Sequence, residues 1–131
     1  MANLRGGQQL WNGNVSASGV SPLAIVGAGP YVAVYIQNTG SIAATITVQA
    51  SATAKPDAGR NALDGTTDGG LVWFDYFDKT ADAAAIQVTV AAGQSRMLDL
   101  SPYAPQFIRL KRTDALADTT LVAIVSAFGA N

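Results

Sequence analysis

Alternating apolar and polar residues mark the two clearest elements of this chain. Residues 31–38, YVAVYIQN, place Val32, Val34 and Ile36 on one side, and residues 42–50, IAATITVQA, repeat the alternation. A period of two over such lengths is typical of strands that turn one face to a core. The corner between them, NTGS, contains a glycine that permits a positive φ, so we expect the two strands to form a hairpin.

Weaker versions of this pattern extend the prediction to about eight strands. Pro22 interrupts residues 20–26, which therefore belong at an edge or a bend, because proline cannot donate to a central ladder. Residues 119–128, TTLVAIVSAF, are apolar on both sides, as in a central or interfacial strand. No stretch has the apolar stripe of a helix, so the predicted fold class is all-β: an antiparallel β-sandwich, jelly-roll-like, with an extended N-terminal arm. The remaining predicted strands are residues 71–77, 85–91, 96–100 and 107–112.

The length of 131 residues predicts one domain with one core. Residues 1–18 are predicted to form an N-terminal arm or a first strand, and residues 19–131 a single β-sandwich domain. Residues 51–70 are predicted to form a long polar loop within that domain. Loops of this length in a compact domain are usually functional or mobile.

The chain contains no histidine and no cysteine, which narrows the chemistry open to it. The commonest general base, the commonest transition-metal ligand and thiolate chemistry are all excluded. No Gly-x-Ser-x-Gly motif is present, and the glycines at 27 and 29 lack the third glycine of a dinucleotide-binding loop. We therefore predict that the protein is not an enzyme, has no catalytic residue and binds no cofactor.

The net charge is −1, so the overall field favours neither nucleic acid nor an anionic membrane as a partner. The cations Arg96, Arg109, Lys111 and Arg112 are too few for a nucleic-acid footprint, and we interpret them as solvated side chains or ion pairs with a neighbouring chain. The apolar residues 20–36 are broken by prolines and glycines, which argues against a membrane span. The first residues lack the charged and apolar regions of a signal peptide, so we expect none.

Six of the nine acidic residues, all Asp, lie between residues 57 and 82. Asp is common in turns, so a structural role is the favoured interpretation. A calcium site is the alternative, with Asp64 and Asp68 of the segment DGTTDGG as candidate ligands, because calcium prefers carboxylate and carbonyl oxygens. The spacing of an EF-hand is absent.

Residues 6–54 contain no Asp, Glu, Lys or Arg, which is the most unusual feature of the sequence. A monomer normally spreads charge over its surface, whereas interface cores are depleted of charge and enriched in tyrosine. We therefore predict that another chain, or the N-terminal arm, covers the outer face of residues 31–50. The alternative is a soluble surface of Thr, Gln and Ser. The predicted interface residues are Tyr31, Tyr35, Thr45 and Thr47 on this face and Leu10, Trp11 and Val15 in the arm.

Aromatic residues are concentrated in the segment WFDYF, residues 73–77. Trp73, Phe74 and Tyr76 could form a platform on which sugars stack, or they could pack in the core on one side and contact a subunit on the other. Aromatic residues are enriched in interface hot spots, so we favour packing and interface roles for all three.

Three stretches, YIQNTGSIAATITVQAS, VTVAAGQSRMLDLSPYAPQFIRLKRT and TTLVAIVSAFGAN, resemble small all-β structural proteins of tailed-bacteriophage virions. These are the capsid decoration (cement) proteins and related head or tail modules. The resemblance spans roughly residues 31–128 and carries no site residue with it. It implies a non-enzymatic β-sandwich, often trimeric, seated on a lattice of coat subunits.

The resemblance and the uncharged stretch together lead to the hypothesis of a capsid decoration (cement) protein. Such a protein binds and stabilises the coat-protein shell by adhesion, and here the N-terminal arm would clamp neighbouring subunits. Its partners would be the major capsid protein and further copies of itself, with a trimer favoured, and its location the virion, assembled in the host cytoplasm. The alternative is a carbohydrate- or receptor-binding module of a phage tail or head fibre. That module would use Trp73 or Tyr76 with Asp64 and Asp68, assisted by calcium.

Overall fold

The computed structural model describes residues 4–26, 31–51, 73–76, 85–101, 103, 105 and 107–128. These residues form nine strands and no helix. In chain order the strands are β1 (Leu4–Val15), β2 (Ala24–Ile25), β3 (Tyr31–Asn38), β4 (Ala44–Ser51), β5 (Phe74–Asp75), β6 (Gln87–Val90), β7 (Ser95–Asp99), β8 (Phe107–Arg112) and β9 (Thr119–Phe128). Of the loop predicted for residues 51–70, all but Ser51 lies outside the residues that the structure describes.

The strands form two antiparallel sheets that enclose one core. The front sheet has the order β1-β9-β3-β7, and the back sheet has the order β2-β8-β4-β5, with β6 also paired to β4. The predicted all-β antiparallel sandwich is therefore confirmed. β9 lies between β1 and β3, in agreement with the central position predicted from its two apolar sides.

The strand pairs are nested along the chain. β1 pairs with β9, β2 with β8, β3 with β7 and β4 with β6. These eight strands therefore alternate between the two sheets, as a long hairpin does when it is wrapped across both.

The predicted hairpin between residues 31–38 and 42–50 does not form. β3 belongs to the front sheet and β4 to the back sheet, so the chain crosses from one layer to the other between them. Gly40 does not adopt a positive φ. Its role is steric, because a Cβ at this position would collide with the hydroxyl of Thr119 at the start of β9.

Asn38 holds this crossing in place through its buried side-chain amide. The amide nitrogen donates to the carbonyl oxygens of Ile42 (2.8 Å) and Val90 (3.0 Å). The amide oxygen accepts from the backbone N–H of Gly40 (3.0 Å) and from the hydroxyl of Thr119 (2.9 Å). One polar side chain therefore uses all its bonding groups to join the connection between the sheets to β6 and β9.

The core follows the alternation read from the sequence. Val34 and Ile36 of β3 and Ile46 and Val48 of β4 are fully buried between the sheets. The inward residues of β8 and β9 complete the same cluster, with Ile108, Leu110, Leu121, Ala123 and Val125.

Residues 4–15, predicted as part of an arm or a first strand, form β1, which pairs with β9 from end to end. Leu10, Trp11 and Val15 are buried in the core. The register shifts between Gln9 and Trp11, and this β-bulge lets the consecutive residues Leu10 and Trp11 both point inward. The three residues that we expected in an adhesive arm are therefore packed inside their own chain.

The edge position predicted for residues 20–26 is confirmed, because β2 is the last strand of the back sheet and the ladder breaks at Pro22. Before the proline, the N–H of Ser21 donates to the carbonyl of Leu110 (2.9 Å), and the Ser21 hydroxyl accepts from the N–H of Leu110 (2.9 Å). After it, the side-chain amide of Gln8 bonds both backbone groups of Ile25. Gln8 thereby joins the edge of the front sheet to the edge of the back sheet.

We predict that Trp11→Ala destabilises the domain by about 3 to 5 kcal/mol, because it removes a large side chain from the core and leaves a cavity. The neighbouring Asn12 is exposed, and Asn12→Ala should change the free energy of unfolding by less than about 0.5 kcal/mol. Urea unfolding of both variants measures the difference. An equally small effect of both substitutions would show that β1 is a detachable arm.

Candidate functional site

The two outer faces of the sandwich divide the residues predicted to share one interface. Tyr31 and Tyr35 belong to the front sheet, whereas Thr45 and Thr47 belong to the back sheet. The single outer face expected for residues 31–50 therefore does not exist. We call the outward surfaces of the two sheets the front face and the back face.

The front face consists of the outward side chains of β1, β9, β3 and β7, and its centre is apolar. Ile124 lies beside Tyr35, and Tyr35 lies beside Met97. Met97 is 70% exposed, Tyr31 is 47% exposed and Tyr35 is 40% exposed. The cross-strand rows of this face are Asn12–Val122–Gln37–Ser95, Gln9–Ile124–Tyr35–Met97 and Ser126–Ala33–Asp99.

Charge is confined to the margin of the front face. Of the described side chains in these three rows, Asp99 alone is charged, and it lies on the edge strand β7. A hydrogen bond from the backbone N–H of Ser101 lowers the pKa of the Asp99 carboxyl. The amides of Gln9, Asn12 and Gln37 flank the apolar centre, and none bonds to another described residue. An apolar centre with a polar rim is the usual anatomy of a protein interface.

The back face is polar, and its side chains bond to one another. The Gln87 amide donates to the hydroxyls of Thr47 (3.0 Å) and Thr113 (3.1 Å), and the hydroxyls of Thr45 and Thr89 are 3.0 Å apart. Thr47 is only 2% exposed although it points outward. The chain itself therefore covers this predicted interface residue.

A second polar bridge on the back face involves Trp73. Gln49 donates to Asp75 (3.0 Å) and accepts from Nε of Arg109 (2.8 Å). The Arg109 guanidinium carbon lies 4.4 Å from the centroid of the Trp73 ring, which is a cation–π contact. The chain's own arginine therefore occupies one face of the ring on which a sugar would stack.

The other aromatic candidates lie in different environments. Tyr76 is buried with its ring centroid 4.8 Å from that of Tyr103, whereas Phe74 is 45% exposed. Burial raises the pKa of Tyr103 well above its usual range, and its hydroxyl donates to the carbonyl of Phe107 (2.8 Å). Phe74 is thus accessible to a partner, and Tyr76 belongs to the core.

The calcium candidates Asp64 and Asp68 lie outside the described residues. Within the described part of the chain, no group of three Asp, Glu, His or Cys residues is close enough to hold a metal ion. The same residues contain no helix that is long and apolar enough to span a membrane.

The four cations considered as a possible strip are separated by the fold. Arg96 is exposed on β7 of the front sheet, whereas Arg109, Lys111 and Arg112 lie on β8 of the back sheet. Side chains alternate along β8, so Arg109 and Lys111 face outward while Arg112 is fully buried. The solvated role expected for these side chains is therefore wrong for Arg112.

Arg112 closes one end of the sandwich from within. Its guanidinium donates to the carbonyl oxygens of Val15 (2.7 Å), Ala117 (2.7 Å) and Ala43 (3.4 Å). It also forms a two-point ion pair with Asp114, at 3.0 and 3.1 Å. Four separate parts of the chain thus meet at one buried cation.

Asp114 is ionised in this arrangement. Burial opposes ionisation, but hydrogen bonds from the Arg112 side chain and from the N–H groups of Thr45 (2.6 Å) and Leu116 (2.9 Å) outweigh it. Together with the charge of Arg112, they lower the pKa of Asp114 to about 2. The buried charge of Arg112 is therefore neutralised at physiological pH.

Three larger apolar residues in the listed rows of the front face were not among the predicted interface residues: Met97, Val122 and Ile124. Val122 and Ile124 were signalled by the apolar character of both sides of residues 119–128. Met97 gave no comparable signal, because a single methionine in a short polar strand reads equally well as core or surface.

The chain has the fold of a two-sheet antiparallel β-sandwich, and solved structures share it. The protein titled SPBc2 prophage-derived protein YomS is 12% identical with a TM-score of 0.52, over 97% of this chain and 96% of that one. The structure titled PirA is 17% identical with a TM-score of 0.50, over 92% of both chains. Neither a protein family nor a curated protein matches the sequence. At these identities the likeness shows the fold alone.

We predict that Asp114→Asn lowers the free energy of unfolding by about 3 kcal/mol, because it leaves the buried Arg112 without a counter-charge. Asp118 provides a matched control, since it is exposed and accepts a single hydrogen bond from Asn14 (2.9 Å). Asp118→Asn should cost less than about 0.5 kcal/mol. Similar urea midpoints for both variants would contradict the role assigned to the Arg112–Asp114 pair.

Acid should weaken the wild-type protein through the same carboxylate. The folded pKa of Asp114, about 2, lies below the ordinary value of 3.8, so the unfolded chain binds more protons between these values. The stabilisation that the ionised Asp114 carboxylate contributes is complete above about pH 4 and is lost as the pH falls through about 2. After solvent screening, this contribution to the free energy of unfolding amounts to about 1 to 2 kcal/mol. The stability gap between wild type and Asp114→Asn should therefore narrow on acidification. A gap that stays constant in urea titrations over this range would contradict the assignment.

Proposed function

We propose that this chain is a structural protein of a phage particle, a capsid decoration (cement) protein that binds the coat-protein shell and stabilises it by adhesion. The proposal includes a non-enzymatic role without a cofactor, and a place in the virion after assembly in the host cytoplasm. The observation that carries it is the front face of this small sandwich, a surface with an apolar centre and with charge only at its margin.

The front face is unsuited to binding a small molecule. It is an open sheet surface with no charged group at its centre, so it lacks the convergent polar groups that fix a small molecule. Contiguous apolar surface rimmed by polar groups instead marks contact with another protein. The likeness of the fold to a protein titled as prophage-derived supports a phage particle as the setting.

Adhesion of this kind works through buried area. A chain that rests across the boundary of two coat subunits adds surface that must be exposed again before the subunits separate. Each 100 Å² of apolar surface so buried stabilises the contact by about 2.5 kcal/mol, before the cost of association. Copies that act together multiply the effect, which is why we include a homo-oligomer, with a trimer favoured, in the proposal.

The carbohydrate-binding alternative draws less support. Tyr76 is buried, and Arg109 covers one face of Trp73. Both aromatic residues assigned to that role are thus engaged within the chain.

We predict that the wild-type protein sediments with purified coat-protein shells at a saturable ratio and raises the temperature at which the shells open. Binding to shells adds interactions that intact particles keep and dissociated subunits lose, so both readouts should change together. Shells alone and the protein alone are the controls, and a glycan array with and without a chelator tests the alternative. Protein that stays in the supernatant at every concentration would overturn the decoration role.

A further inference from the structure

We infer that the front face is the surface through which this chain binds a second copy of itself. The inference deepens the proposed function, because it rests on an assembly role and names one partner. It can nevertheless be tested without any particle.

The two outer faces differ in how far their side chains bond to one another. The back face satisfies its own polar groups, as the bonds of Gln87 to Thr47 and of Gln49 to Arg109 show. The front face does so less completely: the Tyr35 hydroxyl donates to the Ser95 hydroxyl (3.1 Å), but the amides of Gln9, Asn12 and Gln37 bond to no other described residue and the Met97 side chain is 70% exposed. The back face is thus the more fully bonded within the chain, and the front face is the one that leaves large apolar side chains open to a partner.

The front face is complementary to an identical copy of itself. A copy of the same chain brings the same surface, so any strong net charge would repel its own image. The central row of the front face, Gln9–Ile124–Tyr35–Met97, contains no charge. Each amide and hydroxyl on the rim carries both a donor and an acceptor, so identical groups can pair with one another. A partner that is recognised through its charge would instead require the opposite charge on this surface, and the central row has none.

The area of the front face can be derived from its strands. β3 has eight residues and the front sheet four strands, which at about 3.3 Å per residue and 4.8 Å per strand gives a face of about 500 Å². Two such faces in contact bury about 1,000 Å², which reaches the lower limit of specific protein interfaces. The outward side chains of two sheets interdigitate at a spacing of about 10 Å, as inside a sandwich. The face is therefore large enough for a second copy, and flexible Met97 can fill gaps between the layers.

The experiment is light scattering with sedimentation equilibrium on the full chain, over concentrations from about 1 to 100 µM. The wild type should have the mass of two chains, because two identical faces in contact form a closed dimer, and a mass of three chains would overturn this face-to-face contact. Met97→Lys and Tyr35→Lys place an unpaired cation at the centre of the contact, so each should raise the dissociation constant at least about tenfold. Thr89→Lys, an exposed strand position on the back face, is the matched control and should leave the mass unchanged.

Urea unfolding shows that each variant is folded, and Met97→Lys is the safer of the two because that side chain is the more exposed. A wild type with the mass of one chain, or an oligomer unaffected by either front-face variant, would overturn the inference. Self-association without binding to shells would overturn the decoration role alone, and shell binding by a monomer would overturn this inference alone.

Discussion

The buried guanidinium of Arg112 is the constraint on which the closed end of the sandwich depends. A cation taken out of water costs several kcal/mol unless it is paired and its N–H groups are bonded. The chain meets this demand with the Asp114 carboxylate and the carbonyls of Val15, Ala43 and Ala117. The end of β1, the approach to β4 and the loop before β9 must therefore converge on the end of β8, and the positions of those strands follow.

The crossing between the sheets depends on a similar buried polar group, and it shows where sequence reasoning stops. Alternation gives the inward side of each strand, and that part of the prediction held for β3, β4 and the central strand β9. It carries no information on which strand lies beside which, because the period of two is the same for every neighbour. Asn38 and Gly40 looked like turn residues of a hairpin, yet their partners Val90 and Thr119 are far away in the sequence. Contacts of that range cannot be read from a local pattern.

The uncharged stretch of residues 6–54 contributes to both outer faces of the sandwich, so the absence of charge alone did not locate an interface. On the back face, Thr47 is almost fully covered by polar side chains of neighbouring strands, and the surface is complete in one chain. On the front face, Tyr35 lies between Ile124 and Met97, and although its hydroxyl bonds to Ser95, the Tyr35 ring and Met97 remain exposed. The alternation along the sequence was enough to place Tyr31 and Tyr35 on one surface. It could not place Met97 beside them, since that position follows from the pairing of β3 with β7.

The bulge in β1 changes the kind of adhesion that we can propose for this chain. Leu10 and Trp11 are consecutive, which breaks the period of two and made an irregular arm the natural expectation, but the bulge turns both into the core. An arm that orders on binding must offset its lost conformational entropy, whereas a face held by two packed sheets is already ordered. Its limit is area instead, because a single sheet face of about 500 Å² per partner supports only a marginal contact. A face buried against a second copy is no longer open to a lattice, so the adhesion that we propose uses the remaining surface of the paired copies, where avidity multiplies weak contacts that engage together.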